Sequence, residues 1–147
     1  KSNMKSTFLA LVLLVAGSTV SLAQCDKNVS LFSSKTEHLD ADSKLQEAVD
    51  EKTTVEFNKS DITVSISGDN GDQKMTGKIK SNTCDWKVPF KEGKTVISTT
   101  LTNDNGEGRD FTITIEGKDG KVTLLAETPD MPDKKIKLDV EKFGEKN

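Results

Sequence analysis

The sequence predicts an all-β fold, an antiparallel up-and-down meander of about eight strands. Three observations favour this fold class. Apolar and polar residues alternate with a period of two over most of the chain after residue 28, as in strands with one face on a core and one in water. Asn-Gly and Asp-Gly pairs, which suit tight hairpins, interrupt the alternation. The connections are short, so consecutive strands should pair antiparallel.

The clearest strand is "DITVSIS" (61–67), in which Ile62, Val64 and Ile66 share one face. One stretch is ambiguous, because "DSKLQEAVDEK" (42–52) also places apolar residues at helical spacing. We favour a strand there, since Leu45 and Val49 continue the parity of the residues that follow, and we take 40–43 as the preceding turn. The predicted strands are 29–39, 44–57, 61–67, 73–86, 94–103, 109–116, 121–128 and 134–142.

An open meander would leave two strand edges unpaired, and closure into a barrel removes both. A barrel of eight strands has an interior that side chains fill or that holds one small ligand. We therefore predict a closed barrel, with a two-sheet sandwich as the alternative.

Residues 1–23 have the features of a secretory signal peptide. Lys5 precedes an apolar run (8–17) that is short for a membrane span, and Ser21 and Ala23 are the small residues expected before a cut after Ala23. Met4 is the expected start, which leaves 1–3 as upstream residues. We predict a secreted or periplasmic domain over 24–147 with no membrane span after cleavage; the alternative is a retained anchor helix.

The two cysteines, Cys25 and Cys84, both follow the predicted cleavage site. In a secreted chain two cysteines usually pair, so we predict a disulfide between them. A second interpretation is that "LAQC" acts as a lipobox, with Cys25 lipidated and anchoring the chain to a membrane. Gln24 fits that signal poorly, because a small residue is expected before the lipidated cysteine. A third alternative is that neither modification occurs.

The signal sequence, the opening "VSLFSSKTEHLD" (29–40) and the succession of amphipathic hairpins resemble small secreted lipocalin-like barrels from bacteria. The resemblance covers most of the chain after residue 23 and depends on layout. It implies a lipocalin-like barrel. Lipocalins usually open with Gly-x-Trp on the first strand, whereas Trp86 lies mid-chain here. No binding residue is carried over from the family.

The composition argues against several function classes. His38 is the only histidine, too few for a histidine-based metal site, and we expect it on an exposed strand or turn. Aligning the two acidic Gly turns with a calcium loop puts Ile66 or Leu101 at its first ligand position, where neither can bind. A formal net charge of −3 argues against nucleic acid as a partner. We expect no catalytic site, no metal and no cofactor, and therefore no enzyme.

The stretch "KSNTCDWKVPFKEGK" (80–94) combines Cys84 with the single Trp86. Ile79 and Cys84 differ in parity, which predicts a bulge or break near 81–83. Beyond it Cys84, Trp86 and Val88 should share a face, and Pro89 should end the strand. Trp86 is then either an aromatic wall of a ligand cavity or, with Phe90, a plug at one end of the barrel.

We expect a non-enzymatic protein that binds a small apolar ligand inside the barrel. The alternative is a filled barrel that acts as a structural module or binds another protein of the cell envelope. One inward residue from each of six strands is predicted to line the cavity: Phe57, Val64, Trp86, Ile113, Leu124 and Leu138.

Overall fold

The computed structural model describes residues 24–146, and the predicted signal peptide, residues 1–23, lies outside them. A short 3-10 turn at Gln24–Asp26 precedes nine strands. Their bounds are β1 Val29–Leu39, β2 Leu45–Phe57, β3 Asp61–Gly68, β4 Gly71–Val88, β5 Glu92–Thr102, β6 Gly108–Lys118, β7 Lys121–Glu127, β8 Lys135–Val140 and β9 Lys142–Glu145.

The strands form one antiparallel sheet that closes on itself. Each strand from β2 to β7 pairs with the next one along the chain, and β1 completes the ring by pairing with both β8 and β2. The short β9 pairs with the first part of β1. The up-and-down barrel is therefore confirmed, in a layout consistent with that of lipocalin-like proteins, and the sandwich alternative is wrong. Closure satisfies the backbone groups that an open meander would leave at its edges.

The ambiguous stretch 42–52 is turn and strand, as predicted. Asp40 accepts backbone N–H bonds from Asp42 and Lys44, each 2.9 Å, and so shapes the β1–β2 turn. β2 then begins at Leu45 and runs through the region that also had helical spacing. Pairing with β1 on one side and β3 on the other decides in favour of the strand, because tertiary contacts override a weak local preference.

The last predicted strand is interrupted once. β8 and β9 follow one register along β1, but Glu141 bends out between them. Its backbone N–H donates to the carbonyl of Phe32 at 2.8 Å, while its carboxylate accepts a bond from the N–H of Ser34. Hydrogen bonding from the Ser34 side chain, and then from its backbone, lowers the pKa of Glu141 below its ordinary value of 4.5. The alternation alone did not predict this bend.

The inward faces of the strands form one core. It is built mainly from β-branched and leucine side chains, which suit a pleated surface. Its buried members are Leu31, Val55, Ile62, Val64, Trp86, Ile97, Leu101, Ile113, Ile115, Leu124 and Leu138.

Trp86 plugs one end of this core. Its side chain is only 1% exposed, and its ring nitrogen donates to the hydroxyl of Thr95 at 2.7 Å. Phe143 meets the indole edge-on at 5.6 Å between ring centroids, and Phe90 meets Phe143 at 4.9 Å. Of the two interpretations of Trp86, the plug is the one that the structure shows.

The indole can lie there because the next two strands, β5 and β6, carry glycine. A Cβ on Gly93, which has a φ of +152°, would come within 2.4 Å of the Trp86 backbone. A Cβ on Gly117 would lie 2.9 Å from the indole ring and 2.4 Å from the Lys91 carbonyl oxygen. Glycine at both positions therefore makes room for the ring, a known pairing of an aromatic residue with a strand glycine.

The β4 strand departs from the predicted phase in two places. Its bulge lies between Ile79 and Ser81, next to the predicted site, and the strand continues through it. A second register shift between Trp86 and Val88 turns Val88 outward, where it is 40% exposed. The prediction that Val88 shares the inward face of Trp86 is therefore wrong.

A disulfide joins Cys25 to Cys84, with their Cα atoms 6.0 Å apart. It fastens the 3-10 turn to β4 beside the Trp86 plug. Gln24 strengthens this attachment, because its side-chain oxygen accepts the backbone N–H of Phe90 at 2.7 Å. With both sulfurs in the bond, the pairing prediction is supported over lipidation of Cys25.

Candidate functional site: a cavity in the open half of the barrel

The barrel has two different ends. One end, which we call the closed end, carries Trp86, the disulfide and the loops 58–60, 89–91 and 119–120. The open end is the opposite one, with the loops 40–44, 69–70, 103–107 and 128–134. Antiparallel pairing places these loops alternately at the two ends, so residues distant in sequence meet at each end.

A cavity of about 560 Å³ occupies the open half of the interior. Volumes of this size are typical of small-ligand sites, which hold about 300–1,000 Å³. Its walls are apolar side chains from seven strands, β2 to β8. They are Val49, Val55, Val64, Ile66, Met75, Leu101, Phe111, Ile113, Leu124, Ala126, Ile136 and Leu138.

The open end of the cavity is polar. His38 and Glu47 lie on the paired strands β1 and β2, and Glu51 follows further along β2. Beside Glu51, on the next two strands, lie Asp69 in the β3–β4 turn and Gln73 at the start of β4. We call these five side chains the rim. An apolar interior under a polar rim can hold the body of a ligand and orient its exposed end.

Two hydroxyls beside the cavity lack hydrogen bonds. Thr36 and Thr53 both line it, and their side chains are only 3% and 4% exposed. Within residues 24–146 neither hydroxyl oxygen has a partner. A buried polar group without a partner costs about 1–3 kcal/mol, so these positions are not optimised for stability.

The predicted lining residues fall into two groups. The cavity is lined by Val64, Ile113, Leu124 and Leu138, one each from β3, β6, β7 and β8. Trp86 is buried in the plug at the closed end. Phe57 ends β2 there as well and borders a space of only about 10 Å³ near the disulfide. Choosing one inward residue per strand did not separate the two ends, because parity gives the face of a strand and not the height along it.

The rim was missed by sequence reasoning, although a signal for part of it existed. Glu47 and Glu51 share the parity of Val49 and Val55, so the alternation itself places two carboxylates on the inward face of β2. His38, expected on an exposed strand or turn, lies on β1 and is half-buried at the cavity wall. Asp69 comes to the rim through the register of β2 with β3, which places Gly68 beside Glu51.

Other surfaces fit a site less well. A groove of about 500 Å³ lies outside the closed end, where Lys121, Asp139 and Glu141 mix with Phe90 and Phe143 along its length. In the described part of the chain, no three His, Cys, Asp or Glu side chains come together as a metal site would require. Across residues 24–146 the structure also contains no helix with the length and apolarity that a membrane crossing requires.

Comparison of the chain with protein-family models, with curated proteins and with solved structures found no match. The cavity and its rim are therefore the basis on which a function can be argued.

Proposed function

We propose that this protein is a secreted or periplasmic, lipocalin-like binding protein that holds a small, largely apolar ligand in its barrel and performs no catalysis. The single observation that carries the proposal is the cavity of about 560 Å³, with apolar walls and a polar rim. Burial of the ligand's apolar surface supplies the affinity, at about 25 cal/mol for each Å² removed from water.

The half-buried state of several wall residues supports the same role. Val49, Ile66 and Met75 line the cavity on β2, β3 and β4, yet each stays partly exposed. An apolar ligand would cover these side chains, and Met75 has the flexibility to adapt to its shape. The disulfide supports an oxidising compartment, because such bonds persist outside the reducing cytosol.

The second candidate is a filled barrel that serves as a structural module or binds another envelope protein. That function expects an interior occupied by side chains, as at the closed end, where the space beside the disulfide is about 10 Å³. The much larger volume in the open half favours the ligand.

The test uses a neutral apolar dye, 1-aminoanthracene, whose fluorescence rises in a dry site. We expect saturable binding with one site per chain. Ala126→Phe places a ring in the cavity and should abolish binding, whereas Val88→Phe, on the outer surface of β4, should leave it unchanged. Both variants are first checked for a cooperative thermal transition. If the natural protein binds neither the dye nor any C12 probe (dodecanol, dodecylamine or dodecanoate), the result contradicts the proposal and favours the interaction module.

A further inference from the structure

The charges of the molecule are unevenly divided between its two ends. The loops at the open end carry two lysines, Lys44 and Lys134, against a larger set of carboxylates: Asp40, Asp42, Asp69, Asp104, Glu107, Asp130 and Asp133. The loops 58–60, 89–91 and 119–120 at the closed end carry Lys59 and Lys91 against Asp119 alone. Negative charge therefore predominates in the loops around the entrance of the cavity, although Arg109 and Lys135 lie at the adjoining strand ends and the whole chain has a formal net charge of only −3.

The rim has the same sign. Glu47, Glu51 and Asp69 line the cavity, and in the described part of the chain none of the ion pairs involves them. Glu51 lies against Gly68, where a Cβ would stand 3.0 Å from the Glu51 Cβ, so the glycine gives this carboxylate room at the rim. His38 is the one basic side chain among the lining residues.

The lysine at the open-end start of β8 is already engaged by other groups. Lys135 begins β8 beside the end of β1, and its side chain is 19% exposed. Its ammonium group lies 3.6 Å from the Glu127 carboxylate and 3.4 Å from the Ser43 hydroxyl. Lys52 and Lys74, on β2 and β4, are exposed and have the opposite parity to the inward residues Glu51 and Gln73. A ligand at the rim thus meets carboxylates first.

From this arrangement we infer that the ligand is a cationic amphiphile, an apolar chain or ring system with an amine or quaternary ammonium head. The apolar part lies between Ile113, Leu124 and Leu138, and the cation lies among Glu47, Glu51 and Asp69. Thr36 and Thr53, whose buried hydroxyls have no partner among residues 24–146, also line the cavity. The inference rests on the proposed function and specifies its ligand class.

The physical reason is charge complementarity at an entrance. A cleft lined by one sign of charge and bounded by apolar walls concentrates the field there, which attracts a cation and repels an anion. A carboxylate head, as in a fatty acid, would face three like charges. An uncharged head would lose the attraction without being repelled.

Three probes with the same apolar chain separate these effects: dodecylamine, dodecanol and dodecanoate, titrated below their micellar concentrations by displacement of 1-aminoanthracene. We expect the amine to bind at least about fivefold more tightly than the alcohol, and the carboxylate to bind most weakly. Raising the salt concentration should weaken the binding of the amine and leave the affinity for the alcohol unchanged, because only the charged head is screened.

A pair of variants tests the rim itself. Glu47→Gln with Glu51→Gln should remove most of the amine's advantage over the alcohol. Glu92→Gln with Asp119→Asn removes two exposed charges near the closed end and should leave that advantage intact. If dodecanoate binds as well as dodecylamine, the inference is overturned while ligand binding stands. If none of the three probes nor the dye binds, the proposed function itself fails.

Discussion

The two ends of the barrel satisfy their buried groups to different degrees. At the closed end the Trp86 ring nitrogen bonds Thr95, the Gln24 side chain bonds Phe90, and the space beside the disulfide is about 10 Å³. In the open half the cavity measures about 560 Å³, and Thr36 and Thr53 lack hydrogen-bond partners among residues 24–146. Both ends belong to the same strands, so the difference arises from the side chains that each strand presents at each height.

This difference indicates that the closed end stabilises the fold and the open end serves binding. Tight packing and complete hydrogen bonding stabilise a fold, whereas binding sites are commonly regions in which some stability is given up. The disulfide adds to this difference in stability, because it ties the first described residues to β4 at the closed end and leaves the open end without a covalent link. We therefore expect substitutions at the closed end to affect folding and those at the open end to affect binding.

The largest expected effect is that of Trp86→Ala. It removes a fully buried ring from a site where Phe143 and two glycines fit around it, so we expect a loss of about 3–5 kcal/mol in the free energy of unfolding. Phe111→Ala removes an aromatic ring that borders the cavity and is already half-buried, so its cost should be clearly smaller. Urea unfolding of both variants measures the difference; equal losses would contradict the division between the ends.

Loss of the disulfide should rank second. The bond spans 59 residues, and its removal by Cys25→Ser with Cys84→Ser should cost about 2–4 kcal/mol, mainly because the unfolded chain gains freedom. Dye binding at a temperature where the variant is still folded should change little, since the cavity lies in the other half. A large loss of affinity in a folded variant would show that the two ends are coupled.

The fold was predictable to a greater extent than the site. Alternation such as that of Ile62, Val64 and Ile66 fixes which face of a strand is inward, and with short turns it leads to a closed meander. The height along the barrel depends on register and bulges, which are set by pairing between strands. For this reason Phe57 and Trp86 were predicted at the cavity but lie at the closed end, and Val88 faces out.

The same limit explains the rim. Asp69 and Glu51 are 18 positions apart in sequence and come together because β2 and β3 form a hairpin of fixed register. Only the inward parity of Glu47 and Glu51 was visible beforehand. A charged residue on the apolar face of a predicted strand is therefore a sequence signal for a polar rim at the end of a barrel.

Replacing threonine by valine at each end should change stability in opposite directions. Thr95→Val at the closed end leaves the Trp86 ring nitrogen buried without an acceptor, so it should destabilise the protein by about 1–3 kcal/mol. Thr36→Val at the cavity removes a hydroxyl that has no partner, so it should raise stability by up to about 1 kcal/mol. Thermal unfolding gives both values, and effects of the same sign would contradict the assignment of satisfied and unsatisfied ends.

A weaker effect is expected at Glu141, which lies at the break in the last strand, beside the groove outside the closed end. Bonds from Ser34 lower the pKa of its carboxyl group in the folded protein. A lowered folded pKa means that the carboxylate contributes stability above its ordinary pKa of about 4.5 and that this contribution is lost as the pH falls through the folded pKa. Glu141→Gln should therefore lower the urea midpoint slightly at pH 7, and the gap to the natural protein should narrow on acidification.

Glu92→Gln is the matched control, because Glu92 is exposed at the start of β5. It should leave the urea midpoint at pH 7 unchanged. If the difference in urea midpoint between Glu141→Gln and the natural protein stays constant from pH 7 to pH 3, the carboxylate charge has no part in the bond to Ser34. The amide of the variant can still accept the Ser34 N–H, so the experiment isolates the charge from the geometry of the bend.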